Sequence, residues 1–255
     1  MTENQSRILR LVMIGILFFS MFVIAREGAA YVNVMKENGS LEEIEEVEKE
    51  TAKENLKEEE KKEKICVVID AGHGGSDPGK VGINHALEMD VNLQIAQKLK
   101  MFLEAEDIEV VMTREDENGL YEEGASNKKV QDMKKRLEMI EKVDPVLVVS
   151  IHQNSYHEEY VKGAQVFYYA TSEKSKILAE VLQKQLRVLD EENNRQAKGN
   201  DSYYLLKKTA KPIVIVECGF LSNRQEAEKL ITPIYQERVA FQIHMGIMKY
   251  INALY

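Results

Sequence analysis

The chain has only two cysteines, Cys66 and Cys218, and it lacks a basic patch interleaved with aromatic residues. If the strands that carry these cysteines run parallel, Cys66 lies near the start of one and Cys218 just past the end of another. A disulfide needs Cα atoms closer than about 7 Å, so we expect the two thiols to stay unpaired. The missing basic patch argues against nucleic acid as a partner.

One hydrophobic run is long enough to concern a membrane. Residues 11–25 are apolar apart from Ser20 and the small Gly15, and they follow two arginines. Fifteen residues are near the upper limit for a signal peptide and short for a spanning helix. We therefore expect residues 1–30 to be a cleaved signal peptide or a retained signal anchor, with a buried core helix as the alternative. Either targeting segment exports the rest of the chain, with membrane contact only through residues 11–25.

A charge run follows this segment. Residues 40–64 contain 11 Glu and 6 Lys and have too little apolar surface for a core. We interpret residues 31–64 as a charged linker, with a docking segment for a partner as the alternative. Residues 65–255, about 190 in number, suffice for one catalytic α/β domain.

Strands and helices alternate along residues 65–255, as is typical of α/β folds. Continuous apolar or alternating segments predict strands over residues 65–70, 108–112, 146–151, 164–169 and 213–217. Apolar residues at helical spacing predict helices near residues 86–106, 127–142, 173–189 and 233–252. This order predicts an open, mostly parallel twisted sheet of about six strands with helices on both faces. Strand 164–169 follows strand 146–151 without a helix between them, which predicts an antiparallel neighbour.

Three of the apolar strands lead directly into side chains that bind metals or transfer protons. Strand 65–70 is followed by His73, strand 146–151 by His152, and strand 213–216 by Glu217. The ligand crevice of a parallel sheet lies beyond the carboxyl ends of its strands, so these side chains should share one rim. Two imidazoles together with carboxylates favour zinc.

Glu88 occupies the first turn of the first predicted helix. Counting back three residues along the apolar stripe from Val91 places Glu88 on the buried face. A buried carboxylate costs several kcal/mol unless something compensates its charge, and a metal ion would do so. The alternative is a surface glutamate that interacts with the helix dipole.

The other candidate residues have weaker signals. The glycines of segment 72–79 allow a phosphate cradle as a rival to a metal loop, but no Gly-Lys-Ser/Thr follows them. We interpret His85, His157 and His244 as residues that do not bind metal. Glu217 is a candidate general base, and the alternative is a structural ion pair with Arg114.

Four sequence blocks together resemble a known family. They are Asp-Ala-Gly-His-Gly-Gly at 70–75, Glu88, Ser-Ile-His-Gln-Asn at 150–154, and Val-Glu-Cys-Gly-Phe-Leu-Ser-Asn at 216–223. Residues 65–255 resemble the zinc-dependent N-acetylmuramoyl-L-alanine amidases of the amidase type 3 family. The resemblance implies Zn²⁺ as the cofactor, three metal ligands and one catalytic carboxylate. The implied ligands are His73, Glu88 and His152, and the implied catalytic residue is Glu217. Thr113, Arg114 and Arg136 also match recurring positions of the family.

A narrower resemblance concerns the segments Asn-Asn-Arg-Gln-Ala-Lys at 193–198 and Asp-Ser-Tyr-Tyr-Leu-Leu at 201–206. They look like the germination-specific branch of endospore formers, whose members remove stem peptides from cortex peptidoglycan. A partner deacetylase can then form muramic δ-lactam. This resemblance implies action in the cell envelope or spore intermembrane space, by a secreted or N-terminally anchored enzyme.

The expected reaction is hydrolysis of the amide between N-acetylmuramic acid and L-alanine in glycan strands with stem peptides. Glu217 would move the water proton to the leaving amine, and the oxyanion would be stabilised by zinc together with Arg114 or a backbone N–H. Loop 190–206 is the candidate substrate loop, with a disordered connector as its alternative. The candidate substrate contacts are Asn154, Arg195, Tyr203 and Leu205. An activator protein is a further candidate partner.

Two other functions remain open from the sequence. One is a zinc carboxypeptidase that acts on stem peptides. The other is a non-catalytic wall-binding protein with a vestigial site.

Overall fold

The structure is a computed structural model, and it describes residues 65–254 together with the single position Met21. The predicted signal segment 1–30, apart from Met21, and the predicted linker 31–64 lie outside the described residues. Within the described part, no helix combines the length and the apolar character needed to cross a bilayer.

Six strands and six α-helices build the described domain. The strands are β1 (Cys66–Ala71), β2 (Glu109–Met112), β3 (Leu147–Asn154), β4 (Gln165–Tyr169), β5 (Lys198–Asn200) and β6 (Ile213–Phe220). The helices are α1 (Glu88–Glu104), α2 (Lys128–Val143), α3 (Glu173–Leu186), α4 (Tyr204–Lys208), α5 (Arg224–Leu230) and α6 (Pro233–Ile251). A 3₁₀ turn, Arg187–Leu189, continues the chain from α3.

The strands form one mostly parallel sheet in the order β2-β1-β3-β6-β4-β5, which confirms the predicted α/β class and strand number. Strands β2, β1, β3 and β6 are parallel, whereas β4 is antiparallel to β6 and parallel to β5. Cys66 and Cys218 are unpaired, and β3 lies between the strands that carry them.

The predicted neighbour of strand β4 is wrong. We expected β4 beside β3, but β6 lies between them and pairs with both. Every residue of β6 is buried, so β6 needs a strand on each side. Strand β4 is only partly buried and suits a position nearer the sheet edge.

Alternating strand residues supply the core on the two faces of the sheet. Val67, Ile69 and Ala71 belong to the larger apolar cluster, which α1, α3 and α6 cover. Val68 belongs to the smaller cluster, which includes Ile140 of α2 and Leu205 and Leu206 of α4. Helices therefore cover both faces, as the pattern of continuous apolar strands predicts.

Two short elements overlap the segment predicted as loop 190–206, since β5 lies within it and α4 begins within it. Strand β5 contains only Lys-Gly-Asn, and α4 contains five residues. Neither is long enough to show an apolar period, so the sequence carries no signal for them. Helix α5 was missed for the same reason, because it spans only seven residues.

His244 is buried in α6 without a hydrogen bond. Its ring stacks on Phe102 at 5.7 Å between centroids and lies beside Phe241. Neither ring nitrogen has a hydrogen-bond partner among the described residues, and the nearest carboxylate, of Glu106, is 3.9 Å from Nε2. Burial lowers the pKa of His244 despite the charge of Glu106. The fold thus favours the neutral form of this imidazole.

This burial makes folding stability depend on pH. The unfolded chain binds a proton at His244 near the ordinary imidazole pKa of about 6.5, above the pKa in the folded chain. The stabilisation that comes from keeping His244 neutral is therefore fully present above about pH 6.5 and is lost as the pH falls below that value. We expect His244→Leu to lose less stability than the wild type between about pH 7 and pH 5 in urea unfolding.

The matched control is His157→Leu, because the His157 side chain is 72% exposed. It should keep the pH dependence of the wild type. Equal pH dependence of His244→Leu and the wild type would contradict the assignment of His244.

Candidate active site

The rim at the carboxyl ends of β1, β3 and β6 carries the predicted site residues. His152 and Glu217 are direct cross-strand partners in the β3–β6 pairing. His73 lies two residues beyond the end of β1, and Glu88 is the first residue of α1. The parallel register therefore places residues from distant parts of the sequence side by side.

His73, Glu88 and His152 converge on one point. Glu88 Oε1 is 3.2 Å from His73 Nε2 and 3.0 Å from His152 Nδ1. One ligand atom from each residue lies within 4.8 Å of the other two. The two imidazole rings are 5.0 Å apart between centroids and meet edge to face. Two imidazoles and one carboxylate in this arrangement can hold a divalent metal ion.

Electrostatics favour the charged form of Glu88 although its side chain is buried. Burial alone would raise the pKa of Glu88, but hydrogen bonds from His152 and His73 lower it far below its ordinary value. The backbone N–H of Lys80 donates to the other carboxylate oxygen at 2.8 Å. Burial works against protonation of His152, yet Glu88 raises the pKa of His152. The carboxylate is thus held ionised at the centre of the three ligands.

Two glycines leave room for this convergence. A Cβ at Gly72 would lie 2.3 Å from the His152 ring, and a Cβ at Gly79 would lie 2.5 Å from Glu88 Oε2. Gly79 also has a φ of +67°, which glycine adopts at little cost. His73 itself has a φ of 64°, so the loop holds this residue in a left-handed conformation.

Asp77 orients His73, although Asp77 was not among the candidate residues predicted from the sequence. Its Oδ2 lies 3.1 Å from His73 Nδ1, on the opposite side of the ring from Glu88. A carboxylate at one ring nitrogen fixes the tautomer and leaves the other nitrogen free to bind a metal. The spacing of four residues within the glycine-rich loop was the only sequence signal for this pair.

Arg136 binds the backbone of the loop that carries His73. Its guanidinium contacts Asp70 at 2.6 Å and Asp132 at 2.6 Å, and it donates to the carbonyls of Ala71 and His73. Burial alone would lower the pKa of Arg136, but the two carboxylates raise it. Burial alone would raise the pKa of Asp70. The charge of Arg136 and the hydrogen bond from Ser150 outweigh burial and lower this pKa to about 2.

Arg114, a predicted catalytic residue, binds main-chain carbonyl oxygens in the structure. Its guanidinium donates to the carbonyl oxygens of Ala71, Gly72, Met89 and Asp116. It is buried and does not line the cleft described below. These contacts place the Arg114 guanidinium against the backbone next to His73 and at the start of α1.

Glu217 lies beside the three ligands with one free oxygen. Its side chain is buried, and Oε2 has no hydrogen-bond partner among the described residues. Burial raises the pKa of Glu217 to about 7, with His152 opposing and Glu88 supporting the rise. A carboxylate with a pKa near neutrality and an unpartnered oxygen is suited to accept a proton.

A cleft of about 340 Å³ opens beside His73, His152 and Glu217. Its floor includes His73, His152 and Glu217, while α2 and the start of α4 form its walls. The predicted substrate contacts Tyr203 and Leu205 line this cleft.

Asn154 and Arg195 do not line the cleft. The side chain of Asn154 accepts from the N–H of Ser155. The guanidinium of Arg195 lies 4.8 Å from the Phe220 ring and donates to the carbonyl of Lys162. The structure thus brings together two of the four predicted substrate contacts with the metal-ligand candidates.

The chain is similar to proteins of one family. A family model described as N-acetylmuramoyl-L-alanine amidase matches residues 67–249. The germination-specific N-acetylmuramoyl-L-alanine amidase of Bacillus subtilis (strain 168) is 37% identical over 187 residues. That alignment covers 72% of this chain and 78% of the relative.

Solved structures support the same relationship. The CwlD amidase from Clostridioides difficile, in complex with the GerS lipoprotein, is 39% identical with a TM-score of 0.72, covering 74% of this chain and 99% of that chain. The catalytic domain of CwlV, from Bacillus (Paenibacillus) polymyxa var. colistinus, is 32% identical with a TM-score of 0.65. That match covers 74% of this chain and 98% of the CwlV domain.

The buried arginine predicts a large effect on stability. Arg136→Met removes the cationic partner of the buried Asp70 and Asp132 and a donor to the carbonyls of Ala71 and His73, so we expect the free energy of unfolding to fall by about 3–5 kcal/mol in urea. The control is Arg224→Met, which removes an exposed ion pair to Glu159 at 3.6 Å and should cost less than about 1 kcal/mol. Similar losses in both variants would contradict the role of Arg136.

Proposed function

The chain belongs to the N-acetylmuramoyl-L-alanine amidase family, and from this membership we propose that it acts with zinc on the peptidoglycan of the spore cortex. As a member, it is an enzyme that hydrolyses the amide between N-acetylmuramic acid and L-alanine. The observation that carries the proposal is the convergence of His73, Glu88 and His152 at a cleft that His73, His152 and Glu217 line.

The spacing of Glu88 from each of the two imidazoles fits zinc. Two atoms bound to one tetrahedral zinc ion at about 2.05 Å lie about 3.3 Å apart. The Glu88 Oε1 distances of 3.2 Å to His73 Nε2 and 3.0 Å to His152 Nδ1 are close to that value. Three protein ligands of this kind also leave a fourth position open, as catalytic zinc sites do. Bound there, zinc would polarise the amide carbonyl and lower the pKa of a water molecule.

The residues of the chain have separate tasks in this proposal. Glu217 accepts the proton of the attacking water through its unpartnered oxygen and then donates it to the leaving amine. Tyr203 and Leu205 hold the substrate against the cleft wall. Arg114 acts as a positioning residue, because its hydrogen bonds fix the carbonyls of Ala71 and Gly72 beside His73. Asn154 and Arg195 would meet only those parts of the substrate that extend beyond the cleft.

The biological setting rests on named relatives. The Bacillus subtilis relative is a germination-specific amidase, which supports a role for this chain in germination. The further proposal is that its substrate is spore cortex peptidoglycan and that a partner deacetylase completes muramic δ-lactam. The Clostridioides difficile amidase was solved with a lipoprotein, which supports an activator partner for this chain. We propose that the enzyme acts outside the cytoplasmic membrane, exported by residues 1–30.

Product analysis tests the reaction and its metal. Incubation of the purified protein with cortex peptidoglycan should release intact stem peptides with a free L-alanine N-terminus, detected by mass spectrometry. A chelator should stop this release, and added zinc should restore it. Trimming of only the peptide end would instead show a carboxypeptidase, and release that persists in chelator would refute the need for zinc.

Replacing the proposed base separates chemistry from metal binding. Glu217→Gln should keep one zinc per chain and lose turnover by about 10²–10⁴-fold, because the proton acceptor is gone. Zinc content is measured by plasma emission and turnover by peptide release.

The control for this variant is Glu226→Gln, which changes a buried carboxylate that binds the backbone N–H groups of Gly163 and Phe220. It should keep turnover within a few-fold of the wild type. Normal cleavage by Glu217→Gln would show that another group accepts the proton.

A further inference from the structure

One buried amide connects the three segments that carry the metal-ligand candidates. Asn92 Nδ2 donates to the carbonyl of Gly72 at 3.1 Å, and Gly72 directly precedes His73. The same nitrogen lies 3.5 Å from Glu88 Oε1. Asn92 Oδ1 accepts from Gln153 Nε2 at 3.1 Å, and Gln153 directly follows His152. Each contact therefore ends on a ligand or on a residue adjacent to a ligand.

These contacts use the polar atoms of the buried Asn92 side chain. It is 0% exposed and lies one turn beyond Glu88 on the buried face of α1. An amide group offers two N–H donors and one acceptor oxygen, and these contacts use both donors and the oxygen. A buried polar side chain in an otherwise apolar helix stripe costs free energy unless it is paired in this way.

Gln153 completes the connection through its backbone. Its N–H donates to Glu88 Oε1 at 3.1 Å. The pairing of β3 with β6 shifts register between His152 and Asn154, so Gln153 has no cross-strand partner there. A bulge of this kind turns a backbone N–H out of the ladder. In this chain the bulge directs the Gln153 N–H toward the Glu88 carboxylate.

We propose that Asn92 and Gln153 are positioning residues that set the spacing of His73, Glu88 and His152, so that zinc affinity depends on them although neither is a ligand. The proposal rests on the proposed function, because it presupposes a zinc ion at these three residues. Partners that orient metal ligands typically change metal affinity by 10–100-fold when they are removed. A purely structural role would lower thermal stability and leave zinc affinity unchanged.

The test compares two matched substitutions of buried glutamines. Gln153→Met keeps side-chain length and the backbone N–H but removes the donor to Asn92. Gln183→Met removes hydrogen bonds to Ala164 and Val166 in and beside β4. Zinc affinity of the full chain is measured by competition with a chromogenic chelator, and melting temperature is measured in excess chelator.

Gln153→Met should bind zinc about 10–100-fold more weakly than the wild type. Gln183→Met should melt at a lower temperature and bind zinc as the wild type does. Asn92→Asp, which replaces the donating nitrogen by an oxygen facing Glu88, should weaken zinc binding at least as much as Gln153→Met. If Asn92→Asp does not fold, Gln153→Met decides the question alone.

Wild-type zinc affinity in Gln153→Met would overturn this inference while leaving the proposed function intact. An equal loss of affinity in Gln183→Met would also overturn it, because the effect would then follow from general destabilisation. Failure of the wild type itself to bind zinc would refute the proposed function.

Discussion

The buried carboxylate of Glu88 is the constraint on which the rest of the site depends. A charged group with so little exposure is stable only if opposite charge or hydrogen-bond donors surround it. The imidazoles of His73 and His152 meet one of its oxygens, and the backbone N–H groups of Gln153 and Lys80 supply further donors. Folding around this one group therefore assembles a metal-ligand set from three separate segments.

Two buried arginines support the loop that carries His73, and one carboxylate keeps a free oxygen at the cleft. Arg114 and Arg136 are both buried, and their hydrogen bonds go to loop carbonyls and to internal carboxylates. These contacts fix the backbone on which His73 lies in its left-handed conformation. Glu217, in contrast, keeps an oxygen without a protein partner at the cleft. Arginines that fix the loop backbone, together with a carboxylate that keeps a free oxygen, suit hydrolytic chemistry.

The sequence predicts the features that repeat or are local. Continuous apolar runs predict the strands, and the polar residues that follow them predict the shared rim of His152 and Glu217. The helical stripe predicts the burial of Glu88. The neighbour of β4 was wrong, because strand order depends on which strand needs burial on both faces. Asp77 was missed because its contact with His73 depends on the conformation of the loop. Asn92 was missed because its partners Gly72 and Gln153 lie 20 and 61 positions away in the sequence.

The most direct test is a crystal of the full chain grown with zinc and measured at the zinc absorption edge. The account predicts a single strong anomalous peak within bonding distance of His73, Glu88 and His152. Glu217 should lie beside that peak without binding the ion. A peak bound by other side chains, or no peak between these three residues, would show that His73, Glu88 and His152 do not form the zinc site.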